Sequence, residues 1–284
     1  MDLSFYKLRV CDADLLLVDD LAGDGRDRDW EEAARALLHR RRGAGADRLA
    51  VVSRAEEDIW LRVFVPGGEG GPCADAALCA ARYLLDSGRS GSETVRLRVS
   101  RDAAASGEVE VDVLDSASLG LAVGPPRSVL AGPRGGEQDA ALAPEEVAAL
   151  STLIEAGGAR YEVIPIRAGL PGTDAAAIFA EGAAARARAR IRASGGPSRG
   201  AAVAVRVVSR GELRASAPAS PEIDSIAAAA CALAAAAAAG RSDREALVRL
   251  RAGALWVEWA PRGSLYAVGR PEYVYRGEFH LPDR

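Results

Sequence analysis

The sequence predicts an α/β protein of two similar halves, each a curved, mixed or mostly antiparallel sheet around a central helix. Two observations carry this prediction. The order of a strand, a small-residue loop, an apolar helix and further strands occurs twice along the chain. The central helix of each half has small apolar residues on nearly every face, which suits a helix enclosed by a sheet.

The first half contains apolar and alternating segments of strand length, at residues 5–8, 15–18, 49–53, 59–65, 95–99 and 108–113. Residues 30–42 have helical periodicity and stop at Gly43. The segment PGGEGGP, residues 66–72, predicts a flexible loop. From Cys73 to Gly88 the apolar residues recur every three or four positions, which predicts the enclosed helix of this half.

The second half repeats this order. Strands are predicted at residues 161–166, 175–179, 201–208, 254–259 and 265–268, and helices at 144–156, 181–193 and 224–239. The loop ASAPASPE, residues 215–222, leads into the last of these helices, which is rich in alanine. The tail PEYVYRGEFHLP is expected to return as a final strand to the first half.

Composition excludes several function classes. With a net charge of -4, the chain lacks the excess of positive charge that is typical of proteins that bind nucleic acid or anionic membranes. No segment has the pattern of a signal peptide or a membrane span, so the four cysteines are expected as reduced thiols of a cytoplasmic protein. Two histidines and no CxxC pair argue against a metal site. A small molecule is therefore the expected partner, with no nucleic acid and no membrane.

Cys73 is the best candidate for a reactive group because it stands at the start of a predicted helix. Unpaired backbone N–H groups there favour anions and lower a thiol pKa. A buried cysteine is, however, often only a small apolar core residue. Asp75 and Asp224, each near a helix start, are candidate acid–base groups but are also explained as helix caps.

The order of segments resembles diaminopimelate epimerase and its relatives nearly end to end. The segments that carry the resemblance are FYKLRVCDADLLLVDD, RRRGAGADRL, RVFVPGGEGGPCADAALCAARYL, GLPGTDAAAIF, PEIDSIAAAACALA and LWVEWAPRGSLYAVGRPEYVYRGEF. The resemblance implies two halves, residues 1–122 plus 266–284 and residues 123–265, with a cleft between them. It also implies a homodimer and no cofactor.

The departures from the family fall where the family does its chemistry. The resemblance implies that Cys73 is the first of two catalytic cysteines and that Glu222 matches a family glutamate, whereas Ile226 replaces the second cysteine. Alanine, valine and leucine replace the asparagines that hold an amino-acid substrate, which makes ordinary diaminopimelate epimerase activity untenable. The expected substrate-binding residues are Ala13, Arg48, Val65, Ala74, Leu170, Asp224, Ser225, Ile226 and Ala227.

Three functions remain open. The leading one is an isomerase that moves a double bond by a 1,3-proton shift, for which a single base, Cys73, Asp75 or Glu222, suffices. The resemblance implies such a step in bacterial natural-product pathways, including the route to alkylated proline precursors of lincosamide-type antibiotics. The alternatives are a cyclase with an apolar pocket and a non-catalytic binding subunit.

Overall fold

The computed structural model describes residues 2–22, 28–71, 73–102, 105–130, 152–156, 159–165, 200–217, 223–261 and 263–281. Contacts divide the chain into two compact units. The first comprises Met1–Ala122, Ser220–Asp224 and Val268–Arg284, and the second comprises Val123–Ala219 and Ser225–Ala267. None of the helices in the described ranges is long and apolar enough to cross a membrane.

The described residues of the first unit form two helices and a mixed set of parallel and antiparallel strands. The helices are α1 (Trp30–Leu37) and α2 (Ala74–Asp86). The strands are β1 (Asp2–Val10), β2 (Ala13–Asp20), β3 (Arg48–Ala55), β4 (Asp58–Val65), β5 (Gly68–Gly70), β6 (Thr94–Asp102), β7 (Ala105–Val113) and the start of β8 (Leu119–Gly124). The last strand of the chain, β17 (Glu272–His280), pairs antiparallel with β1.

Both helices pack on the sheet of the first unit. Helix α1 shares a buried cluster with alternate residues of the strands, including Leu16, Val18, Leu49 and Val51. Helix α2 contacts β1, β2, β3, β4 and β7. Because strand side chains alternate between faces, helices on both faces explain why β2 and β3 are nearly continuous runs of apolar residues.

The second unit has the same plan around one described helix, α3 (Ser225–Ala238). Its strands are β9 (Arg127–Leu130), β10 (Thr152–Ala156), β11 (Ala159–Pro165), β12 (Gly200–Ser209), β13 (Glu212–Ser216), β14 (Glu245–Leu250), β15 (Gly253–Trp259) and most of β16 (Leu265–Gly269). Helix α3 contacts β10 through β15 of its own unit, and its first ten residues are buried.

The order of strand pairings is repeated between the units. In the first unit β1–β2 is antiparallel, β2–β3 parallel, β3–β4 antiparallel, β4–β6 parallel and β6–β7 antiparallel. In the second, β10 through β15 follow the same succession. Helix α2 lies between β4 and β6 along the chain, as α3 does between β13 and β14. The predicted α/β class, two halves each with a mixed sheet and an enclosed helix, is confirmed.

Several predicted elements differ in the structure. Residues 152–156, predicted as the end of a helix, are strand β10, because Thr152 and Ile154 favour strands and the segment pairs with β11 and β9. Helix α1 ends at Leu37 instead of residue 42 because the chain folds back at Gly43, where a Cβ would collide with the backbone oxygen of Ala36.

The glycine-rich segment 66–72 is also more ordered than predicted. Its residues Gly68–Gly70 form β5 and pair with the end of β4, Gly68 opposite Val65. The strand predicted at 175–179 and the helix predicted at 181–193 lie outside the described residues.

Candidate functional site

Cys73 is the N-cap of α2. Its backbone is extended, at φ -138° and ψ 144°, and its Sγ accepts a hydrogen bond of 3.4 Å from the backbone N–H of Ala76. A serine or aspartate oxygen usually has this capping role. The cap therefore fixes the sulfur against the first turn of the helix, where only 8% of Cys73 is exposed.

The thiol of Cys73 is held in its protonated form. Burial raises its pKa from 9.0 to about 12, and the nearby carboxylates of Asp224 and Asp75 act in the same direction. Arg48 and the N–H of Ala76 lower the pKa but do not outweigh burial. The predicted lowering by the start of the helix is present, but burial of the helix end together with the sulfur outweighs it, so the net shift of the pKa is upward.

Arg48 and Asp75 form a buried ion pair beside Cys73. Arg48 is the first residue of β3, and its Nη1 lies 3.1 Å from Oδ2 of Asp75 in the first turn of α2. Their side chains are 3% and 0% exposed, respectively. Asp75 is thus neither the cap of its helix nor a solvated group. Its charge is balanced by Arg48 in a place where an unbalanced charge would be costly.

The segment that precedes α3 is bound to the same turn of α2. Nη2 of Arg48 donates to the carbonyl oxygen of Ile223. The backbone N–H of Ala74, the first residue of α2, donates to Oδ2 of Asp224 at 2.5 Å. Asp224 is 6% exposed. Its carboxylate therefore binds a helix start that lies 150 residues earlier in the sequence.

The structure brings together five of the predicted site residues: Arg48, Cys73, Ala74, Asp75 and Asp224. It places Ala13 at the start of β2 and Val65 at the end of β4, in the same unit. Ser225, Ile226 and Ala227 form the buried first turn of α3, which belongs to the second unit. Glu222 and Leu170 lie outside the described residues.

Cys11 is a residue near this group that sequence reasoning did not select. It lies in the two-residue turn between β1 and β2, with a φ of 50° that L-residues rarely adopt. Burial raises its pKa to about 12, and Asp75 contributes to that rise. Cys11 is therefore within electrostatic reach of the Arg48–Asp75 pair. The only sequence signal was a cysteine in a tight turn.

A polar network fixes the backbone immediately before Arg48. The N–H of Asp47 donates to Oδ1 of Asp14 at 2.9 Å, and Arg40 Nη2 donates to Asp47 Oδ1 at 2.7 Å. Lys7 Nζ lies 2.9 Å from Asp14 Oδ2 and donates to the carbonyl oxygen of Gly45 at 2.6 Å. These bonds hold the segment GAGAD, residues 43–47, which leads directly into Arg48 at the start of β3.

Comparison with curated proteins finds diaminopimelate epimerases. The enzyme of Cupriavidus metallidurans is 30% identical over 105 residues, 35% of this chain and 35% of that protein. The enzyme of Chromobacterium violaceum is 27% identical over 296 residues, 99% of this chain and 100% of the relative. The chain thus spans about a third of the first relative's length and all of the second's. No family model matches the chain.

Solved structures agree on the fold. A PhzF-family phenazine biosynthesis protein of Bacillus anthracis has a TM-score of 0.66 at 13% identity, covering 99% of this chain and 100% of that one. A hydroxyproline epimerase of Agrobacterium vitis, with bound trans-4-hydroxy-L-proline, has a TM-score of 0.63 at 17% identity, covering 98% and 91%. The chain is similar in sequence to diaminopimelate epimerases, and it shares its fold with a PhzF-family protein and a hydroxyproline epimerase.

The fold of a methylitaconate-delta-isomerase is also similar, with a TM-score of 0.53 at 11% identity, covering 98% of this chain and 95% of that one. The resemblance to diaminopimelate epimerases that was predicted from the sequence is confirmed. The similar solved structures carry the names of an epimerase, an isomerase and a PhzF-family protein. Ile226, which stands by that resemblance in place of a second catalytic cysteine, is fully buried.

Proposed function

We propose that this chain is a cofactor-independent isomerase that moves a proton, and with it a double bond, in a small unsaturated metabolite. The substrate class is a pyrroline- or amino-acid-derived compound of a bacterial natural-product pathway, and the site acts on a single side. One observation carries the proposal. A thiol, two carboxylates and a guanidinium lie together on the first turn of α2, almost wholly buried.

Among these groups, the carboxylate of Asp224 is the proposed base. The Cys73 thiol is protonated near neutral pH because its pKa is about 12, so it can donate a proton but not accept one. Asp75 is bound to Arg48. Asp224 is the other carboxylate of the group, and it accepts a hydrogen bond from the backbone N–H of Ala74.

The proposed reaction is a 1,3-shift in a conjugated imine. Asp224 takes a proton from the carbon attached to the far end of the C=C bond. The C–H electron pair forms a new C=C bond, and the displaced π electrons move toward the C=N group. The protonated carboxyl then returns the proton to the carbon next to C=N, which restores the imine and leaves the C=C bond one position further away.

Deuterium exchange tests the proposal. A cyclic conjugated imine incubated with the protein in deuterated water should gain deuterium at the carbon that receives the proton, to the extent that the Asp224 carboxyl exchanges its proton with solvent before it returns one; mass spectrometry and NMR measure this uptake. Asp224→Asn should slow the exchange by roughly 10²–10⁴-fold, the usual contribution of a general base. Asp58→Asn, a control on the exposed partner of Arg98, should leave the rate unchanged.

Cys73→Ala and Glu222→Gln complete this set of variants. A slower exchange in Cys73→Ala would support the thiol as proton donor, and Glu222→Gln tests the remaining carboxyl. Exchange at the wild-type rate in Asp224→Asn, Cys73→Ala and Glu222→Gln alike would refute the proposal.

A non-catalytic binding role is the second candidate. The observation in its favour is that the polar groups of the site bind one another, Arg48 to Asp75 and Ala74 to Asp224. An unchanged affinity for a small-molecule ligand in a combined Cys73→Ala, Asp75→Asn and Asp224→Asn variant, with no deuterium exchange in the wild type, would select this role.

We also propose that the chain forms a homodimer through β17. Three large apolar or aromatic side chains of this strand, Tyr273, Val274 and Tyr275, are 41–51% exposed. Exposed apolar side chains grouped on one strand are typical of protein interfaces.

A further inference from the structure

We propose that the outer face of the sheet in the second unit binds an acidic segment of a partner protein. This surface, here called the arginine face, is formed by Arg206 of β12, Arg214 of β13, Arg249 of β14 and Trp256 of β15. None of these residues belongs to the candidate site, and their role does not depend on the proposed isomerase.

The three arginines of this face lie in one row across three neighbouring strands. Arg206 is paired with Arg214 in the antiparallel β12–β13 ladder, and Arg214 is paired with Arg249 in the parallel β13–β14 ladder. Residues in directly opposed positions on neighbouring strands point to the same side of a sheet. The strands of a sheet are about 4.8 Å apart, so the row presents three guanidinium groups at short intervals.

This row lies on the outside of the unit. Leu213 and Val248, which alternate with the arginines along β13 and β14, are completely buried, and α3 contacts both strands. Because strand side chains alternate between the two faces, the arginines lie on the face opposite to these core residues. Arg214 and Arg249 are exposed, and Arg206 is half-buried. A partner could therefore reach all three strands from solvent.

The positive charge of the row is only partly balanced by the chain itself. Nε of Arg249 lies 2.6 Å from Oε1 of Glu212. Arg206 and Arg214 form no ion pair within the described ranges. Like charges in directly opposed positions destabilise a sheet. A carboxylate of a partner placed between these two arginines would replace their repulsion with charge-assisted hydrogen bonds.

Apolar side chains lie next to the row on the same face. Leu247 of β14 is directly opposite Trp256 of β15, two residues before Arg249 along β14. Trp256 is 44% exposed. Arginine and tryptophan are both enriched at protein interfaces and among the residues that contribute most to binding. On the far side of this apolar pair, Glu245 lies opposite Glu258, so the acidic end of the two strands is separated from the arginines.

These features favour an acidic polypeptide over other anions. Carboxylates match the planar fork of a guanidinium group, and an apolar residue next to them in the partner would cover Trp256. An inorganic anion would contact the arginines and leave the tryptophan exposed. A nucleic acid is a long polyanion, which the net charge of -4 of this chain repels.

Fluorescence anisotropy tests the proposal with a labelled peptide of consecutive glutamates followed by leucines. The wild type should bind this peptide at least about tenfold more tightly than a peptide in which glutamine replaces every glutamate. An ionic strength of about 1 M, at which the Debye length is about 3 Å, should weaken the binding of the acidic peptide.

Variants of the row identify the surface that binds. Arg214→Glu should weaken the acidic peptide by about tenfold or more, whereas Arg214→Lys keeps the charge and should retain most of the affinity. Arg96→Glu is the matched control, because it changes the net charge by the same amount at an exposed position of the first unit. It should bind as the wild type does. Trp256→Ala should weaken the peptide but not inorganic tripolyphosphate. Thermal unfolding verifies that each variant is folded.

Several results would overturn the proposal. These are equal binding of the two peptides by the wild type, wild-type affinity in Arg214→Glu, and an equal loss of affinity in Arg96→Glu. Tighter binding of tripolyphosphate or of a single-stranded oligonucleotide than of the acidic peptide would also overturn it. A wild-type dimer that Arg214→Glu dissociates would place a second copy of the chain on this face, and the proposal would fail in that case too.

Discussion

At the scale of single residues, the Arg48–Asp75 pair is the interaction on which the site most depends for stability. Both side chains are almost completely buried. Removal of one partner leaves the other charge uncompensated in the interior. An exposed pair such as Arg98–Asp58 is solvated and contributes little.

We therefore expect Arg48→Met to lower the free energy of unfolding by about 3–5 kcal/mol. The control Arg98→Met should cost at most about 1 kcal/mol. Urea denaturation of both variants measures the difference. A double variant, Arg48→Met with Asp75→Leu, should recover much of the loss because no unpaired charge remains. A loss below about 1 kcal/mol for Arg48→Met alone would contradict the role assigned to the pair.

The thiols of Cys11 and Cys73 make stability depend on pH in the alkaline range. Burial raises the pKa of each from 9.0 to about 12. Between these values the folded protein binds more protons than the unfolded chain, so stability is complete below about pH 9 and is lost as pH rises toward 12.

Unfolding measured at several pH values should show this loss. Cys73→Ala removes one of these contributions, so the stability of this variant should fall less steeply above pH 9 than that of the wild type. Parallel pH profiles for the two proteins would show that Cys73 titrates in the folded state as it does in the unfolded chain.

The site was predictable from the sequence only in part. Cys73, Asp75 and Asp224 could be selected because each stands at a helix start. The bonds among the site residues could not be predicted, because they join residues 27 and 150 positions apart and depend on how the chain folds back on itself. Arg48 and Ala74 were named from the family resemblance and not as partners of these carboxylates. The net rise of the thiol pKa could not be predicted because the sequence shows a helix end but not its burial.

At the scale of elements, some strand arginines lie opposite a glutamate on the neighbouring strand, and others lie opposite another arginine. In the first unit, Arg96 and Arg98 lie directly opposite Glu110 and Glu108 on the adjacent strand. In the second unit, Arg214 of β13 lies opposite Arg206 of β12 on one side and beside Arg249 of β14 on the other. Like charges in directly opposed positions destabilise a sheet.

Arg214→Glu should consequently stabilise the protein by roughly 0.2–1 kcal/mol, since a carboxylate there faces arginines on both neighbouring strands. Arg96→Glu is the matched control and should destabilise it, because it places a second carboxylate opposite Glu110. The midpoints of denaturant unfolding compare the two. A loss of stability in Arg214→Glu would mean that repulsion between these arginines is already screened by solvent.

The accuracy of the element predictions follows the strength of the periodic signal. Strands β2, β3 and β4 were found because their apolar residues are continuous or alternate. Strand β17 was predicted as a final strand without bounds, since most of its residues are exposed and no apolar face marks where it begins and ends. Strand β10 was mistaken for helix because its identity comes from pairing with β9 and β11, which a short segment does not reveal.

At the scale of the whole molecule, the repeated pairing order explains why the fold could be predicted while the chemistry could not. Each unit encloses a helix of small residues between parallel and antiparallel strand pairs, and that pattern is visible as two matching stretches of sequence. The polar groups are not duplicated in the same positions: Cys73, Ala74 and Asp75 stand at the start of α2, whereas Asp224, Ser225 and Ile226 stand at the start of α3.

The proposed homodimer is tested at this scale by Val274→Arg. Val274 is 51% exposed, so a charge there should leave the fold of one chain intact but prevent association through β17. Tyr275 is unsuitable because its hydroxyl donates to the carbonyl oxygen of Ala44. Sedimentation should show a dimer for the wild type and a monomer for Val274→Arg. Val208→Arg, at a position 50% exposed in the second unit, should remain dimeric. A monomeric wild type would exclude the homodimer.

Lys7 is the single lysine of this sequence, and its amine is bound to Asp14 and to the carbonyl oxygen of Gly45. An amine-directed label added to the folded protein would therefore react slowly at this side chain. Because the label must first break the bond to Gly45, its rate of attachment reports how often the segment ahead of Arg48 opens. The labelling rate of this native residue would thus measure motion beside the site without an engineered probe.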